Sequence, residues 1–435
     1  MKQARLDSFL LFVIGCAIFV GVGVLYARSS LVSQVDFKCL YYGSRCFLQH
    51  SDPYRQSDLL RVYQAAAADH PSDTAAIQRI VALYVNLPSA LVFAAPFAML
   101  PWGPAHWLWM SFTAVCFIFA TYMMWRDGVR TAPRISGLLI FLFLCGSELL
   151  VEVGNDAGIA VALCVIAAWC FLEDRFVWAG TLSFALSLLL KPHVTGPILL
   201  YFLLSNQKNR KYALRTVAVT LLFGAAAVLW VYHVVPHWSS ELHANLREIA
   251  AVNGVNDPGP AAMDTPAHGA RMVSLQTVFS LLNGEPHFYN LASYIVCAPL
   301  LIIWTVTTIR TGFSKGSAWL AIADIAVLSM LPLYHRQHDT RLLLLLVPAM
   351  ATLWAYGGII AKIGFWLTSA CALLTGDVVC EFLAETANRL GLPAHGLPDH
   401  LLNLGMTRPA PLILLATGAF YLWAYVRHAR QSQPV

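Results

Sequence analysis

Val35-Asp36-Phe37-Lys38-Cys39-Leu40-Tyr41-Tyr42-Gly43-Ser44-Arg45-Cys46-Phe47-Leu48, closed by Ser51-Asp52-Pro53-Tyr54, is the first polar stretch after a long apolar run near the start of the chain. Helical spacing sets Phe37, Leu40, Tyr41, Ser44 and Leu48 on one side, which predicts an amphipathic helix lying along a bilayer and ended by a turn at Asp52-Pro53. Such a helix follows naturally from a chain that has just crossed the membrane, and it brings a carboxylate, Asp36, to the surface. At the start of a helix Asp36 has two readings: a cap for free backbone N–H groups, or a base facing a membrane-embedded substrate.

Outward from this stretch, composition decides the class. Of 435 residues 58% are hydrophobic and only 12% charged, which excludes a soluble globular chain and predicts an all-α polytopic integral membrane protein. The apolar residues come in continuous runs, not in alternation, so a β-barrel is excluded too. A formal charge of +5 therefore carries no expectation of nucleic-acid binding; what counts is where the charges sit relative to the membrane. Most of the ten cysteines fall inside apolar runs, where they act as small hydrophobes. The first run, after Lys2 and Arg5, is too long for a signal-peptide core and is expected to be a retained span.

Apolar spans are expected at 8–27, 104–125, 135–151, 156–172, 176–190, 193–204, 213–234, 291–309, 317–334, 340–358, 361–378 and 410–426, about twelve transmembrane helices in one domain over 1–435. Leu83 to Leu100 is punctuated by Pro88 and Pro96 and reads as a re-entrant or surface helix. With a cytoplasmic N-terminus, that choice brings the short basic connections inside: Arg126, Arg130 and Arg134; Lys208, Arg210 and Lys211; Arg310 and Lys315; Lys362; Arg427 and Arg430. It also requires two short spans meeting at Lys191-Pro192-His193, as happens where helices line a substrate cavity. The long connections 28–103, 235–290 and 379–409 are then external, and Asn253 to Pro260 reads as a loop that orders over bound substrate.

Nearly all candidate polar groups converge on that external face. Tyr334-His335-Arg336-Gln337-His338-Asp339 is a dense polar cluster at a span end, where Arg336 suits a phosphate and His338 suits proton movement near a leaving group. His335 and His338 are spaced like metal ligands, but no third ligand is evident, so no metal and no cofactor are expected. Lys191, flanked by apolar spans, either snorkels or meets an anion, with His193 beside it. Arg45 is a further candidate phosphate contact, and Tyr41 a further substrate contact on the same helix. Glu148, Glu152 and Asp156 flank Gly154-Asn155, where carboxylates and an amide suit sugar hydroxyls. Trp102, Trp107 and Trp109 read as interfacial anchors. Asp324, inside a span, is the one feature that favours a different class, a transporter or flippase of an amphipathic solute.

The Asp36-Phe37 pair, Tyr41-Tyr42, Gly43 and Asp52-Pro53-Tyr54 together resemble the first external loop of glycosyltransferase family 87. So do the Pro88 to Pro101 stretch, Leu190-Lys191-Pro192, and His338-Asp339 ahead of a leucine run. The chain departs from that pattern at Asn86-Leu87-Pro88, where a Tyr-Pro-Pro is frequent, and at Gly154-Asn155, where Gly-Gln is common. The resemblance implies a GT-C-type fold and transfer of a sugar, mannose foremost, from a polyprenyl-phosphate donor to a glycolipid or glycan acceptor. It further implies a multi-pass protein of the inner (plasma) membrane among membrane lipids, its site on the external face. It implies Asp36 as catalytic base and Lys191, Arg336 and His338 as substrate-site positions, among which His338, by its residue type, is expected to assist catalysis. Lys191, Arg336, Arg45, His335, Tyr41, His193 and Asn155 are the expected substrate-binding positions.

Overall fold

A computed structural model of the chain describes residues 2–30, 33–66, 69, 73–252, 254–259, 272–389, 404–405 and 408–431. Among the described residues the structure is helical, and its one β-bridge pairs Met272 with Arg336. Helices cover each expected apolar segment in whole or in part, 317–334 only as far as Leu328 and 340–345 as 3-10 helix. Six are long and apolar enough to cross a membrane: Lys2–Ser29, Trp102–Gly128, Pro133–Glu152, Gln207–Val234, Pro286–Arg310 and Pro409–Gln431. Shorter apolar helices at Ala157–Leu172, Val177–Leu190, Pro192–Leu204 and Gly358–Leu374 pack among them. Leu221, Leu222, Phe223 and Leu229 on one long helix and Leu291, Ile295, Ile302 and Ile309 on another are exposed, the surface a lipid phase would cover. This is an all-α polytopic integral membrane protein.

Proline sets several of the boundaries. Pro88, Pro133, Pro192, Pro286 and Pro409 each open a helix, where the missing N–H costs nothing and the fixed φ is already helical. The break at Lys191-Pro192 is a hairpin tip. The two helices it joins, α1 (Val177–Leu190) and α2 (Pro192–Leu204), have their far ends close together, since Asp174, just before α1, meets Lys208 at 2.5 Å and the Tyr212 hydroxyl at 2.5 Å, both just after α2. Lys191 thus stands at one end of the molecule by construction.

A second, smaller layer covers that end. It holds α3 (Val35–Leu48), α4 (Gln56–Ala65), α5 (Ala75–Ala82) and α6 (Pro88–Ala98), clustered through aromatic rings. Helix α3 is covered by protein on more than the one face its periodicity marks. Phe37, Lys38, Leu40, Tyr41, Tyr42, Gly43, Ser44, Cys46 and Phe47 are all buried, because neighbouring helices cover both the apolar and the mixed face. Lys38 is buried as an ion pair with Asp73 at 2.6 Å, which offsets part of the cost of removing its charge from water. Gly43 admits Tyr84, whose ring would lie 2.7 Å from an added Cβ. The segment Pro88–Ala98, at about 16 Å, is too short to span and belongs to this layer. Trp109 is a core residue and not an interfacial anchor: it is fully buried, stacked on Phe37 at 4.6 Å, and donates to the Gly154 carbonyl at 2.8 Å. Trp102 joins the same cluster, while Trp107 is exposed.

Candidate functional site

Between the two layers lies a cavity of about 410 Å³. Asp36, Asn155, Asp156, Lys191, His193, Arg336, His338 and Asp339 line its polar side; Leu40, Leu83 and Leu246 are among its apolar walls. Four segments far apart in sequence meet here: the first turn of α3, the 153–156 connection, the Lys191 hairpin tip, and the 334–339 stretch.

Asn155 is the hub. Gly154, at φ +67°, turns the chain so that the next residue sits at the mouth of the helix Ala157–Leu172, and the Asn155 side-chain oxygen accepts the Ala157 N–H at 2.8 Å. The same oxygen accepts from the Lys191 Nζ at 2.8 Å. The amide orientation is thereby fixed, and its NH2 donates to Asp36 Oδ2 at 2.7 Å. Asp36 does not cap its own helix: Gln34 occupies that position, and Asp36, half-buried, faces the cavity instead. Gln34 in turn is bound to the Val151 carbonyl, which ties the start of α3 to the connection carrying Asn155.

Lys191 is clamped by carboxylates, Asp156 at 3.4 Å and Asp339 at 3.8 Å. Burial by itself works to remove its proton, but Asp156, Asp339 and Asp36 outweigh that, and its pKa is raised. Asp339 is the converse case: burial pushes it up, yet Lys191 and the surrounding histidines hold it well below the usual carboxylate range. Asp156 stays raised, since burial exceeds the help from Lys191. Asp339 also fixes its own loop, accepting the Arg336 backbone N–H at 3.0 Å, and His338 Nε2 lies 3.7 Å from its Oδ1. Arg336 donates to the Val255 carbonyl and Tyr334 to Asn256 at 2.6 Å, so residues 254–259 dock against this stretch. Of the loop expected to order over substrate, residues 253 and 260–271 lie outside the described residues, as does most of 390–407.

The expected site residues divide accordingly. Asp36, Asn155, Lys191, His193, Arg336 and His338 share the one cavity. His335 is buried just behind it, its ring 5.6 Å from that of His193. Tyr41 and Arg45 are elsewhere: Tyr41 is fully buried and donates to the Leu100 carbonyl, and Arg45 donates to the Tyr41 hydroxyl and lines a separate surface cleft with Asp69 and Trp102. Tyr41 stands about one and a half and Arg45 about two and a half helical turns beyond Asp36 on α3, which carries them away from the cavity. Of Glu148, Glu152 and Asp156, only Asp156 lines the cavity, and Glu148 is buried among helices. Asp324 is fully buried in the helix Lys315–Leu328 and is not among the lining residues. Sequence reading missed Asp339 as the second arm of the lysine clamp. Its signal was present, an acidic residue at the outer end of a span that also offers a basic partner at the same depth.

A model of glycosyltransferase family 87 matches residues 84–333, which include Asn155, Asp156 and Lys191. Two curated proteins, each an alpha-(1->3)-arabinofuranosyltransferase of Mycobacterium tuberculosis, from strains CDC 1551 and H37Rv, are 28% identical to the chain over 150 residues. That stretch is 33% of this chain and 34% of each relative, so the match spans about a third of their length. No solved structure matches.

Proposed function

This chain belongs to glycosyltransferase family 87, and we propose that it transfers a sugar from a polyprenyl-phosphate donor to a hydroxyl of a glycolipid or glycan acceptor, inverting the anomeric carbon. The observation that carries this reading is the Asp36–Asn155–Lys191 chain of hydrogen bonds along a cavity wall that also presents Arg336 and His338. In one transfer, Asp36 accepts the proton of the acceptor hydroxyl as that oxygen attacks the anomeric carbon. The bond from that carbon to the phosphate oxygen breaks on the opposite face, and polyprenyl phosphate leaves with the electron pair. Lys191 and Arg336 supply positive charge for the departing phosphate, and His338 stands beside them. Asn155 keeps the base and the cation at a fixed separation, so both meet the reacting centre in one geometry.

Sequence resemblance favours mannose as the donor sugar, while the arabinofuranosyltransferase relatives favour a pentofuranose. The site is external and the N-terminus cytoplasmic in this reading, in an inner (plasma) membrane, because the basic connections gather at the opposite end from the cavity. The test is transfer of radiolabel from polyprenyl-phosphate mannose and polyprenyl-phosphate arabinofuranose in membranes carrying wild type or Asp36→Asn. Label transferred by wild type and lost in the variant at equal insertion supports the proposal. Equal activity in both removes Asp36 as base, and transfer from neither donor removes the donor class.

A further inference from the structure

We propose that His193, His335 and Asp339 form a binding site for a divalent transition-metal cation at the wall of the cavity. The sequence offered only the pair His335 and His338, without a third ligand; the fold replaces His338 by its neighbour Asp339 and adds His193 from α2. One donor atom from each of His193, His335 and Asp339 lies within 4.8 Å of the other two. Two chain segments supply them: the first turn of α2, and the 335–339 stretch that leads into the 3-10 helix Gln337–Leu345.

Two further observations point to a ligand. Asp339 is 2% exposed, and while its Oδ2 accepts the Arg336 N–H, its Oδ1 receives no hydrogen bond; the surrounding nitrogens, His338 Nε2 at 3.7 Å and Lys191 Nζ at 3.8 Å, stand off beyond hydrogen-bond distance. A buried carboxylate oxygen left without a donor is costly unless something cationic meets it. His335 Nδ1 lies 3.2 Å from the Leu333 carbonyl, so that nitrogen carries the proton and Nε2 presents its lone pair, the arrangement by which a backbone carbonyl orients a metal-bound imidazole. Bonded ligands at about 2.0–2.2 Å from an ion stand closer together than the present donors, so the triad must contract by roughly 1 Å. His193, the exposed member, has the freedom to do so.

Charge gives the site a purpose, one that rests on the donor reading above. Asp36, Asp156 and Asp339 face Lys191 and Arg336, which leaves this wall one negative charge in excess, an unfavourable setting for a phosphate. A divalent cation on the triad turns that excess into one positive charge. Two imidazoles and one carboxylate suit Zn2+ or Mn2+, while Mg2+ prefers oxygen ligands.

The experiment is equilibrium binding of Zn2+ and of Mn2+ to the full chain purified in detergent after chelator treatment, with metal content read by elemental analysis. Wild type, His193→Ala, His335→Ala and Asp36→Asn are compared, with size-exclusion profile and metal-free thermal transition as folding checks. One equivalent in wild type and in Asp36→Asn, weakened at least about tenfold in both histidine variants, supports the site. No saturable binding in wild type, or equal binding in His193→Ala, overturns it; because His193 is exposed, its loss leaves the fold standing. Sugar transfer is scored separately. Metal bound without transfer from either donor counts against the donor reading alone, and transfer without bound metal counts against the metal alone.

Discussion

Asn155 does for this site what no charged residue does: one short amide holds a helix N-terminus, a lysine and a carboxylate in a fixed order. Asn155→Ala removes that spacing but leaves Asp36 and Lys191 chemically intact. Transfer is expected to fall about 10- to 100-fold, mostly in kcat, because orientation and not binding is lost. Asn155→Asp sets a carboxylate against Asp36, and the loss is greater than for Ala. Steady-state kinetics of the two variants check this, and the reverse order removes Asn155 from the role of spacer. Lys191→Met is a different case, since it leaves Asp156 and Asp339 buried without their cation. A cost of roughly 3–5 kcal/mol follows, so this variant is expected to fail at folding before it fails at chemistry, read as lost monodisperse protein on size exclusion. At this scale the sequence was informative about residue types and poor about partners. Asp36, Lys191 and Arg336 stand out as charges beside apolar runs, but nothing local says that Lys191 meets Asp339 across 148 positions of chain. Tyr41 and Arg45 illustrate the converse. They share a helix with Asp36, and only the covering layer determines that they look elsewhere.

The elements that make the site are ends and breaks of helices, not their middles. Gly154 is the sharpest of them. Its φ of +67° is one that other residues rarely adopt, and a Cβ there would come within 2.6 Å of Gln34 Oε1 and 2.8 Å of the Phe37 Cβ. Gly154→Ala is therefore expected to cost about 1–3 kcal/mol and to shift Asn155, lowering both the melting temperature and transfer. A matched control stands at the other end of the molecule. Ser314 caps the helix Lys315–Leu328 in a reciprocal box with Ser317, and Ser314→Ala should lose about 1 kcal/mol with KM unchanged. If Ser314→Ala alters KM as much as Gly154→Ala does, the site is sensitive to global stability and the local argument fails. Helix boundaries were largely legible, since proline at a first position and long apolar runs act locally. The burial of Val35–Leu48 was not, because a periodic face states that something covers it and not whether that is lipid or protein.

At the scale of the whole molecule, contacts sort the connections into two ends. Trp125 donates to Ser8 at 2.9 Å, Lys315 reaches Asp127 at 2.5 Å and also Glu173, Arg130 reaches Glu173 at 3.0 Å, and Lys208 reaches Asp174 at 2.5 Å. These contacts gather the start of the chain and the 126–134, 173–176, 205–211 and 310–315 connections at one end. Gln34 with Glu152, Trp109 with Gly154, and the whole cavity wall lie at the other. The first end carries exposed arginines and lysines on short connections, Arg130, Arg134, Lys208, Arg210 and Arg310 among them. At the second, Lys191 and Lys38 are buried against carboxylates, and the exposed Arg55, Arg61 and Arg79 stand beside Asp58 and Glu248 on long connections. With a bilayer between the two ends, the retention of short basic connections predicts that the basic end faces the cytoplasm. Ser57 and Gln207 are exposed at opposite ends and suit a direct test. Single cysteines at these positions, in a chain with the cavity-lining Cys39 replaced by Ala, are treated with a membrane-impermeant maleimide. Ser57→Cys is expected to label in intact cells and Gln207→Cys only after permeabilisation. The reverse pattern would put the cavity and its donor on the cytoplasmic face. Labelling of both in intact cells would overturn the assignment of the two ends to opposite sides of the membrane.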